Sequence, residues 1–287
     1  NFVTLGFHRL AINGLNDKSN QPIQNEKHIL ICNGEIYNYK QLKERFNFTF
    51  KTDSDCEIIL HLYKLLGSDC VRVLDGVFSF ILYDIEKQEV LIGRDPLGVR
   101  PLFISYMFDG LFGFSSDVKP LLFNKEYRKI KSINQFTPGS FMILKNYTNK
   151  YIVHKQEKYY DITNNSKILD FPYFYGKNFY MAQLYDRLIY SVKKRVENCE
   201  RPIACLLSGG LDSSIIAALV NRFYKEKTGN PVETYSIGLQ GSEDLKYSTK
   251  VSNHIKSKHT QIIFKNEDFV RSIPDVIRDI ESYDTTT

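Results

Sequence analysis

The chain has 287 residues, with 43% apolar and 25% charged side chains and a formal net charge of +5. That balance excludes a wholly disordered chain, a collagen-like repeat and a disulfide mini-protein, and it leaves no dense basic stretch to argue for nucleic acid. Five cysteines, an odd number with no Cys-x-x-Cys pair, predict reduced thiols and a cytoplasmic protein. No apolar run reaches the roughly 20 residues that span a bilayer, so no membrane partner is expected, and Asn1–Gly6 lacks the basic start of a signal peptide.

Residues 1–160 read as short strands with helices between them, a layered sheet domain. Ile29–Cys32 is an apolar run that ends at Asn33-Gly34, a turn signal. Ser54 and Glu57 have capping-box spacing before a helix whose apolar face is Ile58, Leu62, Leu65 and Leu66, with Gly67 as its stop. Val77–Tyr83 and Val90–Gly93 read as paired strands, and Leu111–Ser115 and Ser140–Leu144 as further ones. The Lys125–Lys131 cluster reads as a solvated face. Residues 161–178 form a linker whose aromatics pack onto a surface.

Residues 179–287 change pattern. Leu184, Leu188, Val192 and Val196 recur every four residues, as on an amphipathic helix. Ile203–Leu207 reads as a buried strand and Ser214–Tyr224 as a helix. Val232–Leu239 is a strand, Leu245–Ser257 a helix, His259–Phe264 a strand and Glu267–Glu281 a helix capped by Asn266. Such alternation implies a parallel sheet with helices on its faces.

The sharpest signal is Leu207-Ser208-Gly209-Gly210-Leu211-Asp212-Ser213-Ser214, between a strand and a helix that begins near Ser213. Glycines let backbone N–H groups approach an anion closely, and a helix start adds unpaired donors, so the loop is a phosphate site by geometry. It is not a Walker A loop, whose lysine and GxxxxGK[ST] spacing are absent. Asp212 is the expected holder of Mg²⁺, which takes hard oxygen ligands. His8, His28, His61, His154, His254 and His259 have no metal-ligand spacing, and no zinc site is expected.

The Ser208–Ser214 run resembles the pyrophosphate-binding loop of N-type ATP pyrophosphatases, which attack the α-phosphate of ATP and adenylate a carboxylate. Upstream, His8–Ile12, Gln21-Pro22, Asn33–Asn38, Ser54–Glu57 and Gly93–Leu102 are similar to class II glutamine amidotransferases. The two sets in this order resemble the glutamine-hydrolysing asparagine synthetase family over essentially the whole chain, with Ile237–Ser242 and Ile280–Asp284 also similar. The resemblance implies an α+β N-terminal-nucleophile (αββα sandwich) glutaminase domain, followed by an α/β parallel-sheet, adenine-nucleotide α-hydrolase-like synthetase domain. It implies L-glutamine, L-aspartate and ATP as substrates, Mg²⁺, ammonia passed between two sites, and a homodimer.

Site roles follow from the resemblance. Arg9, with Leu10, Ala11, Ile12 and Asn13 beside it, is expected to grip the glutamine α-carboxylate. Glu35 and Asn33 are expected at its amide and amino end, and Asp55 at its ammonium. The Asn33 side chain and the Gly34 N–H are expected to form the oxyanion hole. Leu207, Ser208, Gly209, Gly210, Leu211, Asp212, Ser213, Ser214, Ile237 and Gly238 are expected to contact ATP. Arg94–Gly98 is expected to be structural.

The family's nucleophile is an N-terminal cysteine, whereas this chain starts at Asn1. Cys32, Cys56, Cys70, Cys199 and Cys205 read as buried structural thiols. The expectation is an internal fragment of a longer synthetase that by itself hydrolyses no glutamine and makes no asparagine. Two other readings stay open. One is a β-lactam-synthetase-like ligase that adenylates a different carboxylate; the other is a non-catalytic binding homologue that keeps the fold.

Overall fold

The computed structural model describes residues 3–122, 129–163 and 177–282. It divides into two compact units, Asn1–Phe171 and Pro172–Thr287. Residues 164–176 of the expected linker, Lys125 and Arg128 of the basic cluster, and Tyr283–Thr287 lie outside the described residues.

The first unit stacks two antiparallel sheets with helices outside. The larger sheet takes β1 (Ile23–Gln24), β2 (His28–Ile36), β3 (Gly76–Asp84), β4 (Glu89–Arg94), β8 (Ser140–Tyr147) and β9 (Lys150–Lys158), in that spatial order. The smaller takes β6 (Phe112–Ser115), β5 (Phe103–Met107) and β7 (Ile130–Gln135). Helices α1 (Tyr39–Arg45) and α2 (Ile58–Leu66) lie on the larger sheet, and α3 (Lys119–Leu122) is a single turn.

Alternation along β4 explains the layering. Leu91 packs with Leu30, Phe78, Ile58 and Leu62 against the helices, whereas Val90 and Ile92 pack with Leu102, Ile104 and Met142 between the sheets. A strand buried on both faces reads as a continuous apolar run, and Val90-Leu91-Ile92 is one.

Three expectations in this unit need correction. Asn33-Gly34 is no turn: β2 runs through it to Ile36, paired with β3 from His28↔Asp84 to Ile36↔Gly76. The pairing overrides the dipeptide's local preference, because Leu30, Cys32 and Ile36 carry the buried alternation past it. Ser54 caps only a 3-10 turn, Asp55–Glu57, accepting from the Cys56 N–H. Glu57 does not complete the box; it accepts instead from the Lys51 and Thr52 N–H groups at 2.7 Å each. On α2 the core face is Ile58, Ile59, Leu62 and Tyr63, while Leu65 and Leu66 are exposed at the helix end, before Gly67.

Arg94–Gly98 is structural, as expected. The Asp95 carboxylate accepts from the N–H groups of Phe78, Leu97, Val99 and Arg100 at 3.0 to 3.2 Å. The buried Arg94 guanidinium donates to the carbonyls of Gly98, Arg100 and Phe136.

The second unit is a three-stranded parallel sheet of β10 (Ala204–Leu206), β11 (Glu233–Leu239) and β12 (Lys258–Phe264), with β11 central. Its helices are α4 (Lys177–Asn198), α5 (Leu211–Thr228), α6 (Glu243–Ile255) and α7 (Asn266–Ile280). Val192 and Val196 of α4 pack on Val220 and Phe223 of α5 and on Val232. Asn221 of α5 accepts the Val232 N–H at 2.9 Å and donates to the Ile255 carbonyl at 2.7 Å.

Here too the structure departs from the reading. Leu184 is exposed, so the α4 stripe is buried only in its second half. The strand before the glycine loop is not buried throughout: Leu206 is 84% exposed, on the same sheet face as the exposed Ile237 and Leu239, while Ile203 and Cys205 are half-buried and Leu207 is covered. Helix α5 starts at Leu211, with Gly210 as its cap, and α7 is capped by Lys265, with Asn266 as its first residue. Cys32, Cys56 and Cys70 are buried, but Cys199 and Cys205 are partly exposed. Among the described residues, no helix is long and apolar enough to cross a membrane.

Candidate functional site

In the first unit a cavity of about 920 Å³ lies against the second half of β2, the middle of β3 and strand β6. Arg9, Leu10, Ile12, Asn13, Asn33, Gly34, Glu35 and Asp55 all line it. Ala11 is the one expected glutamine contact not on its wall. Segments far apart in sequence therefore converge: a loop before β1, the end of β2 and the 3-10 turn ahead of α2.

Strand periodicity aims the β2 groups. Asn33 and Glu35 alternate onto one face, away from the helix-packed Cys32 and Ile36. Main-chain groups alternate as well. Cys32 bonds away from β3, to the Gln21 side chain, and the Ile36 N–H bonds away from β3, to Asp55. Gly34 lies midway, so its N–H also points away from β3, past the end of β1 and toward the cavity. A side chain at Gly34 would meet the Val77 carbonyl oxygen and Phe78 Cα, so β3 can lie this close only against glycine.

The charges in the cavity suit a zwitterionic amino acid. Asp55 is 4% exposed. Burial, opposed by the Ile36 N–H and reinforced by the neighbouring Glu35 charge, pushes its carboxyl up to about 6. Arg100 Nη2 stands 3.5 Å from Glu35 Oε1, and the buried Arg100 Nε and Asn13 Oδ1 have no hydrogen-bond partner among the described residues. The Arg9 guanidinium is held by the carbonyls of Asn13 and Gly14 at 2.7 and 2.6 Å and by Asn20 Oδ1 at 3.1 Å. In this structure it braces its own loop. Cys32 and Cys56 also line the cavity. Contact with the Cys32 thiol, and burial after it, push the Cys56 thiol well up, which makes it a poor nucleophile.

Gln21 and Arg100 are among the wall residues to which the sequence assigned no role. Each sits in a motif already noted, but a side chain bonding to a distant main chain leaves no periodic trace.

In the second unit Leu207 donates its N–H to the Tyr235 carbonyl, which ties the loop to β11. Gly209 takes φ +86°, and a Cβ there would lie 2.5 Å from the Ser248 nitrogen and 2.6 Å from the Tyr247 carbonyl carbon. The glycine thus seats the loop against α6. Ser208 and Ser213 hydroxyls pair at 2.9 Å across the loop, and Ser214 Oγ donates to the Gly210 carbonyl at 2.6 Å. Asp212 is exposed in the first turn of an 18-residue helix, whose first N–H groups have no partner within the helix. Ile237 and Gly238 lie at the same sheet end, at the C-terminal part of β11. Among the described residues no group of three or more His, Cys, Asp or Glu could hold a metal.

Residues 1–161 match the family model for the glutamine amidotransferase domain, and residues 183–287 match that for asparagine synthase. The glutamine-hydrolysing asparagine synthetases of Mus musculus, Gallus gallus and Homo sapiens are 38%, 36% and 36% identical to the chain. Each alignment covers 98% of this chain and 52% of the relative, so the chain spans about half the length of the curated relatives it matches.

Proposed function

Because the chain belongs to the glutamine amidotransferase family and carries an asparagine synthase domain behind it, we propose that it is part of an ATP-dependent ligase. The reaction converts L-aspartate, L-glutamine, ATP and water to L-asparagine, L-glutamate, AMP and pyrophosphate. The observation that carries this reading is the convergence of Asn33, Gly34, Glu35 and Asp55 on one cavity, with Arg9 at its rim.

In the glutaminase centre, Asp55 and Glu35 hold the substrate ammonium. Arg9 turns one face of its guanidinium from the loop carbonyls to the α-carboxylate, a planar group that suits it. The Gly34 N–H and the Asn33 carboxamide donate to the oxygen that gains charge when the γ-amide is attacked. The ammonia released is the nitrogen donor for the second reaction.

In the synthetase centre, the N–H groups at the start of α5 and the Ser208 and Ser213 hydroxyls hold the pyrophosphate of ATP. Leu207, Ile237 and Gly238 flank the nucleotide. The aspartate side-chain carboxylate attacks the α-phosphate, pyrophosphate leaves, and ammonia displaces AMP. One carboxylate is enough protein for Mg²⁺, which keeps waters and takes its other oxygens from phosphates. Asp212 is the carboxylate in the loop that fits this role, and Mg²⁺ would neutralise phosphate charge there.

The test supplies aspartate, ATP, Mg²⁺ and glutamine to the whole natural polypeptide that contains these residues. Asparagine and pyrophosphate are expected in equal amounts, both dependent on aspartate. Pyrophosphate without asparagine, or neither product, would overturn the proposal.

A further inference from the structure

Strand β1 pairs with β2 at Ile23↔Leu30 and Gln24↔Ile29. Continued by two residues, the ladder would place Pro22 opposite Ile31 and Gln21 opposite Cys32. Pro22 has no N–H to give, and Ile31 needs none, since it pairs with Ile81 on the other side. At the next position the Gln21 side chain takes over from the main chain. Its Oε1 accepts the Cys32 N–H at 2.6 Å, and its Nε2 donates to the Cys32 carbonyl at 2.9 Å. A carboxamide carries the same donor and acceptor as a peptide unit, so β2 is given one more rung without one more strand residue.

That rung lies two residues before Gly34. On the same edge the Cys56 thiol reaches the Gly34 carbonyl at 3.8 Å, and beyond it the Asp55 carboxylate accepts the Ile36 N–H at 2.7 Å. Cys32 and Ile36 are about 13 Å apart along an extended strand. Between them the edge of β2 faces the cavity, and Gly34 is at its centre. The Gln21 and Asp55 clamps, with the long Cys56 contact on the Gly34 carbonyl, set where the Gly34 N–H points.

We propose that Gln21 is a positioning residue of the glutaminase centre, holding the Cys32 peptide so that the Gly34 N–H is aimed at the oxygen that becomes charged during amide attack; this rests on the glutaminase reading above. Gln21 itself touches no reacting atom. Its contribution is felt in the transition state and little in substrate binding, which depends on Asp55, Glu35 and Arg9.

The experiment measures glutamine hydrolysis by the whole natural polypeptide, as wild type, Gln21→Met and Gln21→Glu. Methionine keeps the length of the side chain and loses both hydrogen bonds. For Gln21→Met, kcat is expected to fall roughly 10- to 100-fold with KM changed less than about threefold, the pattern of a lost transition-state interaction. Affinity for L-glutamate γ-semialdehyde, which forms a tetrahedral adduct, is expected to fall by the factor seen in kcat/KM. Glutamate at position 21 can accept from the Cys32 N–H, but donates to the carbonyl only when protonated. Its kcat relative to wild type is therefore expected to rise as pH is lowered from about 8 to about 6, a signature that loss of packing would not produce. A rise in KM at constant kcat, or no change in either variant, overturns the proposal. Should Gln21→Met fail to fold, a flat pH ratio for Gln21→Glu overturns it instead. A wild-type polypeptide that hydrolyses no glutamine overturns the glutaminase reading and this inference together; an active wild type with insensitive variants overturns only the inference.

Discussion

Asp55 Oδ2 accepts the Ile36 N–H at 2.7 Å, so one buried carboxylate both ends the open edge of β2 and faces the cavity. Burial holds its carboxyl up at about 6. A substrate ammonium needs the ionised form. The KM for glutamine is therefore expected to rise as pH falls through about 6. Asp55→Asn should raise KM roughly 10- to 100-fold at neutral pH and remove that acid limb, since a hydrogen bond to a charged group is worth about 1.5–3 kcal/mol. Initial-rate measurements from pH 5 to 8 check both, and an unchanged limb in Asp55→Asn would contradict the assignment.

The same raised value has a cost in stability. A carboxyl whose folded value lies above its unfolded one favours folding fully below the unfolded value, 3.8. That contribution is lost as pH rises through about 6. At pH 7.5 Asp55→Asn is thus expected to stabilise the unliganded protein, by up to about 3 kcal/mol, with the gain shrinking toward pH 4. Thermal midpoints across that range test the sign.

Asp95 gathers four main-chain donors on one side chain. Asp95→Ala leaves them without an acceptor in a buried turn, and about 3 kcal/mol of stability is expected to be lost; Asp95→Asn, which keeps one acceptor oxygen, should lose about half. Because the Arg100 N–H is among the four, Arg100 should also leave Glu35. Urea unfolding gives the energies, and a rise in glutamine KM in Asp95→Asn reports the second effect.

Gly209→Ala places a Cβ against the backbone of Tyr247 and Ser248 at a residue with φ +86°. The loop must move off α6, and its donors with it. ATP-dependent pyrophosphate release is expected to fall at least a hundredfold, while glutamine hydrolysis in the same preparation stays intact. Equal loss of both would show a folding defect instead.

What was legible in the sequence was local. The Ser208–Ser214 loop announces itself because its glycines and hydroxyls are consecutive, and Val77–Tyr83 and Val90–Gly93 read as the paired strands that they are. What was illegible depended on pairing. Asn33-Gly34 has turn chemistry by itself, yet β3 holds it in a strand. Strand β9 was missed because most of Lys150–Lys158 faces solvent at a sheet edge and carries no apolar alternation. Leu206 looked buried because parallel strands usually are on both faces, but its face of the sheet is open among the described residues. The Gln21 rung could not be read at all, since only the fold brings it to Cys32.

Asn221 joins three elements through one carboxamide: it stands on α5, accepts from Val232 at the approach to β11, and donates to Ile255 at the end of α6. Neither bond forms until its partner has docked, and a half-bonded amide in that interior is penalised. The side chain therefore acts as a logical conjunction on folding, disfavouring any state with two of the three in place. The second unit should open and close as one cooperative block, with amide exchange in α5, β11 and α6 governed by a single opening free energy. Asn221→Leu should uncouple them, so that α6 exchanges ahead of β11.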